Sequence, residues 1–144
     1  MNPLWKGQAF SVSHADGTGL AHEGQNVPHG FQAGLRAFFA YRDLGISAAT
    51  KGAYAAHIIR AIPGRHAEPQ WHIHELDFQM IYILKGWVIF EYEGQGEVTF
   101  HEGSAALQPP LIRHRELRHS DDLELIEITA PASFETKIVE APEA

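Results

Sequence analysis

The sequence predicts an all-β domain, on three observations. From Leu35 onward the chain breaks into short strand-like runs, glycine and proline separate the runs every few residues, and no stretch holds a helical apolar period over three turns. This texture fits a β-sandwich or barrel and not a parallel sheet with helical crossovers. At 144 residues the chain has the size of one domain. It is long enough to bury a core without covalent staples.

Residues 1–34 carry six glycines together with Pro3 and Pro28 and little periodic apolarity. They read as an irregular arm, ordered in part by packing against the domain or a partner chain. Residues 35–134 form the barrel. Its predicted strands begin with Leu35–Leu44 and Tyr54–Ile62, with a turn of helix possible over Gly45–Lys51 between them. Gln70–His74, Phe78–Lys85, Trp87–Tyr92, Glu97–Phe100, Ala105–Leu107, Ile112–Arg118 and Leu123–Thr129 follow. Residues 135–144 read as a loose tail. In Phe78–Lys85, Gln79, Ile81 and Ile83 share one face and Met80, Tyr82 and Leu84 the other. Both faces are largely apolar, so one should line the barrel and the other should meet a second layer or a partner subunit. A homodimer is expected on that ground.

Composition narrows the function classes. Eighteen acidic against eleven basic residues give a formal charge of −7. Such a chain lacks the electrostatic footprint of a nucleic-acid or anionic-membrane binder. Cysteine is absent, which removes disulfides, thiolate ligands and thiol nucleophiles together. With no apolar run of signal-peptide or membrane-spanning length, the expected setting is the cytoplasm. Ten histidines are the unusual number, and they point toward metal.

The sharpest local feature is Trp71-His72-Ile73-His74. On a strand, an H-x-H pair puts both imidazoles on one face with Cβ atoms about 7 Å apart, close enough to converge on one ion. Gln79 follows on the next run, and His114 lies beyond the Pro109-Pro110 turn. His14, His22 and His29 lack ligand-like spacing and read as loop residues.

The frame around these residues resembles the two motifs of the cupin superfamily, G-x5-H-x-H-x3-4-E-x6-G and G-x5-P-x-G-x2-H-x3-N. Here Gly64, His72, His74, Gln79 and Gly86 match the first, and Gly103, Pro109 and His114 the second. The sixteen residues between Gly86 and Gly103 are similar to the short inter-motif loops of small single-domain, conserved-barrel members. The resemblance implies a double-sheet jelly-roll barrel. It also implies one divalent ion (Zn, Mn, Fe, Ni or Cu) on His72, His74, Gln79 and His114, with Asp77 the competing fourth ligand. This sequence departs from the pattern at four places. Gln79 stands for the usual glutamate, Leu111 for the second-motif glycine and Arg118 for the final asparagine, and seven residues, not five, separate Gly64 from His72.

Glutamine is a neutral, poorer donor than carboxylate, so the ion would keep its whole +2 charge. That favours polarising a carbonyl, enol or carboxylate oxygen over redox work. Some cupins with a similar three-histidine, one-glutamine set act on unsaturated uronates, and others with altered fourth ligands are dioxygenases. The resemblance therefore implies a metal-dependent enzyme on a small oxygenated metabolite, of isomerase, tautomerase or cyclase type or else a dioxygenase. The rival is a non-catalytic ligand-binding or sensing module. If Ile112–Arg118 alternates regularly, Glu116 and Arg118 share the face of His114, as a base and a carboxylate clamp or as a rim ion pair. One of His57 and Arg60 points inward. His66, His101 and His119 are expected in solvent, and Trp71, Phe78, Tyr82, Trp87, Phe90 and Tyr92 in the core.

Overall fold

A computed structural model describes residues 3–21, 25–28, 30–33, 38–66 and 68–143. Two short hairpins open the chain, β1 (Leu4–Trp5) with β2 (Gln8–Ala9) and β3 (Val12–Ser13) with β4 (Gly19–Leu20). The arm is tied to the barrel by Arg42, whose Nη2 donates to the Ser13 carbonyl at 3.2 Å. His22 and His29 lie outside the described residues.

The barrel strands are β5 (Gln32–Ala33), β6 (Phe39–Asp43), β7 (Ala55–Ala61), β8 (His72–Glu75), β9 (Phe78–Lys85) and β10 (Trp87–Tyr92). They continue as β11 (Gly96–His101), β12 (Ala105–Leu107), β13 (His114–His119), β14 (Glu124–Ala130) and β15 (Glu135–Ile138). Between β6 and β7 sits one helical turn, α1 (Ile46–Ala49). One sheet runs β11-β10-β13-β8-β15 and the other β12-β9-β14-β7-β6-β5, with every pairing antiparallel. This is the double-sheet jelly-roll architecture the sequence predicts. The sheets extend beyond residues 35–134 at both ends, because β5 and β15 add edge strands to them. Among the described residues no helix is long and apolar enough to cross a membrane.

Alternation sets the core. Ile59, Ile81, Ile83 and Leu125 point inward from one sheet and Val88, Tyr92 and Phe100 from the other, with Ile83, Val88 and Leu123 fully buried. The opposite parity of β9 and β10 faces out, so Phe78, Tyr82, Leu84 and Trp87 are exposed in the single chain. This corrects the expectation of a core position for Phe78, Tyr82 and Trp87.

Two backbone positions carry the motif turns. Gly86 sits at φ +75°, and a Cβ there would meet Ser120 Oγ at 2.3 Å and Leu123 Cα at 2.9 Å, so only glycine lets β9 turn into β10 against that loop. Leu111 replaces a motif glycine yet still adopts φ 67°. A left-handed non-glycine residue costs about 1–2 kcal/mol, offset in part by the greater unfolded-state entropy of glycine. Leu111 is 55% exposed and gives up little packing when removed. Leu111→Gly is therefore expected to raise unfolding free energy by up to about 1 kcal/mol in a denaturant titration. A lower midpoint would contradict the strain assigned to this residue.

Candidate metal centre

Three imidazoles meet at the inner face of the five-stranded sheet. β8 places His72 and His74 two residues apart on one side of the strand, and the register of β8 with β13 sets His114 directly opposite His72. One ring nitrogen of each lies within 4.8 Å of the others. His72 and His114 are buried and His74 is half-buried.

Hydrogen bonds on the far side of each ring select the nitrogen that faces inward. His72 Nδ1–H donates to the Gln70 carbonyl at 2.8 Å, and His114 Nδ1–H to the Ile112 carbonyl at 3.0 Å. A carbonyl only accepts, so the proton of each neutral ring sits on Nδ1 and leaves the Nε2 lone pair for the chamber. His74 Nδ1 is hydrogen-bonded to Thr136 Oγ1 on β15 at 2.7 Å, which holds the third ring through the same nitrogen. Three such nitrogens, each about 2.0–2.1 Å from one ion, stand at most about 4.2 Å apart, so small ring rotations bring the set to bonding distance.

The chamber has a volume of about 80 Å³. Gln79, Gln108, Glu116 and Glu127 line it together with the three histidines, and among the described residues no lysine or arginine does. Two acidic side chains beside three imidazoles make a donor set that suits a cation. Gln79 is buried, and its Nε2 donates to Glu127 Oε2 at 3.0 Å. Tyr92 stacks on His114 with ring centroids 5.7 Å apart, and its hydroxyl donates to Gln108 Oε1. Burial pushes the Tyr92 phenol well above its ordinary value, so it stays protonated and keeps donating.

The sequence-predicted residues divide. His72, His74, Gln79, His114 and Glu116 share the chamber. Asp77, the competing ligand, is exposed at the bend before β9 and is not among the chamber's lining residues. Arg118 also faces away, and its side chain is 63% exposed, 3.9 Å from Glu97. The cause is a bulge: Phe90 lies opposite Glu116 and Ile89 opposite Arg118, so Leu117 is an extra residue that reverses the alternation. His119 takes the inward position in its place. It is buried, not in solvent as expected, and its Nδ1–H donates to Glu116 Oε2 at 3.1 Å. Arg60 is exposed with its guanidinium over Phe31, so His57 is the inward member of that pair. His66 and His101 are exposed as expected.

A second hollow of about 440 Å³ shares Tyr41 and Glu127 with the chamber. Its walls include His57, Thr129, Phe134 and Thr136. Sequence reasoning did not find Glu127 or Thr136. The signal for Glu127 was a charged residue at the inward parity of β14, between Leu125 and Thr129.

The Cupin domain family matches residues 58–129, which hold every chamber histidine. No curated protein matches the chain in sequence. Among solved structures, KdgF from Halomonas sp. superposes with TM-score 0.55 at 20% identity, covering 72% of this chain and 88% of its own. Fe(II)-HppE with an alternative substrate gives TM-score 0.60 at 12% identity, over 90% of this chain and 63% of its own. A structure of the DMSP lyases RdDddP and RnDddQII gives 0.57 at 12% identity, over 72% of this chain. The chain spans only 54% of that lyase's length. At these identities the likeness is one of fold.

Replacing Thr136 with valine removes the hydrogen bond that orients His74. Chelator competition is expected to show divalent-ion affinity falling about tenfold, the lower end for such supporting bonds. Unchanged affinity would mean that packing against Phe134, 5.5 Å from His74 between ring centroids, holds the ring alone.

Proposed function

The chain belongs to the cupin family, and we propose that it is a mononuclear metal-dependent enzyme that moves a proton within a small oxygenated metabolite, as isomerases and tautomerases do. The observation carrying this reading is the convergence of three imidazole nitrogens on a buried chamber that adjoins a hollow of substrate size. His72, His74 and His114 would hold the ion, with the Gln79 amide oxygen as the fourth protein donor. When bound, a divalent ion supplies Lewis acidity that polarises a carbonyl or enol oxygen.

The remaining chemistry falls to this chain's own side chains. Glu127 stands where chamber and hollow join, and in the β14–β7 register it lies opposite His57. A carboxylate and an imidazole facing one cavity can take a proton from one position of a bound molecule and return it to another. Tyr41 and Phe134 flank the hollow as aromatic walls, and Thr129 adds a hydroxyl. Glu116 also lines the chamber, with its Oε2 accepting from His119 Nδ1–H. Among the solved neighbours, Fe(II)-HppE binds an alternative substrate and the DMSP lyases are named for a lyase reaction. Both support the use of such a barrel for small-molecule chemistry.

The test is solvent exchange. Metal-loaded protein in D2O, presented with a panel of small 2-oxo acids and enolisable sugar acids, is expected to incorporate deuterium beside the carbonyl without consuming oxygen. His74→Ala is expected to abolish the exchange while circular dichroism still reports the folded barrel. Oxygen uptake would move the assignment to a dioxygenase. Tight binding with neither exchange nor product would make the protein a ligand-binding module.

A further inference from the structure

A glutamine is a metal donor only through its oxygen, and the terminal amide turns easily between its two orientations. In the wrong one, an NH2 group would point at a cation. Whatever fixes the Gln79 amide therefore decides whether this position can serve the site at all. Gln79 on β9 is opposite Thr129 on β14, so Glu127, two residues before Thr129, is its diagonal neighbour on the inner face. Gln79 Nε2 donates to Glu127 Oε2 at 3.0 Å. An ionised carboxylate only accepts, so it selects the amino side of the amide and leaves Oε1 as the atom available to the chamber. The backbone of Gln79 is held too, its carbonyl accepting from the Gln108 N–H at 2.9 Å.

We infer that Glu127 is the positioning residue that aims the Gln79 oxygen at the three imidazoles. The inference rests on reading the chamber as a metal centre. It also explains why glutamine replaces the motif glutamate: a carboxylate at position 79 would stand about 3 Å from that of Glu127, and two like charges at that separation repel. The acidic group has in effect moved one strand across. The pair Gln79–Glu127 retains a negative charge beside the ion while offering it a neutral oxygen.

Cobalt(II) is the probe, because its visible absorption follows the donor set and geometry independently of turnover. Gln79→Leu and Glu127→Leu are expected to change the cobalt spectrum in the same way and to weaken cobalt binding about 10–100-fold. Glu127→Gln is expected to shift the cobalt spectrum less than Glu127→Leu does, since the introduced amide oxygen can still accept from Gln79. The exchange Gln79→Glu/Glu127→Gln is expected to bind cobalt better than Gln79→Glu alone. A wild-type spectrum in Glu127→Leu alongside an altered one in Gln79→Leu would overturn the positioning role. Wild-type spectra in both, with cobalt lost from His74→Ala, would also overturn it while leaving the metal centre standing. Failure of the unmodified protein to bind cobalt would instead remove the metal reading beneath it.

Discussion

The pairing of β8 with β13 is the constraint on which the candidate site depends. It sets His114 opposite His72 with ring centroids 4.2 Å apart, and the two-residue period of the strand adds His74 on the same side. A slip of one residue in this register would turn His114 out of the barrel and bring Arg113 or Arg115 in. Several features hold the alignment. β15 pairs with β8 from its other edge and brings Thr136 opposite His74. Tyr92 stacks on the His114 ring, and the Gly86 turn fixes where β10 begins.

The same arrangement explains why so much polarity is tolerated inside a small barrel. Buried polar groups are costly unless each finds a partner. Gln79 is matched with Glu127, Tyr92 with Gln108 and His119 with Glu116. Each pair couples a residue that lines the chamber to one on another strand, or across the bulge of the same strand. The match is incomplete beside the chamber, where Glu116 Oε1 and His119 Nε2 are buried with no hydrogen-bond partner among the described residues. Phe38 and Phe39 pack against the His119 ring at that place.

The fold was legible because short strand-like runs are bounded by breakers throughout the barrel. β9, β10 and β12 have the limits that patterning alone assigns. His72, His74 and His114 were legible through their spacing within two motifs. Arg118 was misplaced because one inserted residue, Leu117, reverses alternation and leaves no mark in composition. The same bulge hid the burial of His119. β15 was unreadable for a different reason: Glu-Thr-Lys-Ile is a short edge strand with Ile138 70% exposed, so it has no apolar face to betray it. Thr136 went with it. Glu127 was hidden because its partner Gln79 lies 48 residues away, and only the three-dimensional register brings the two together.

The candidate centre depends on whether the three imidazoles hold an ion. Elemental analysis of untagged protein, purified without chelator and set beside a folded His72→Ala/His74→Ala variant, answers this most directly. The native protein is expected to hold close to one transition-metal ion per chain, and the variant none. Native protein that holds no ion even after reconstitution with zinc, manganese, iron, nickel and copper would contradict it, and would make the three histidines part of the barrel's packing.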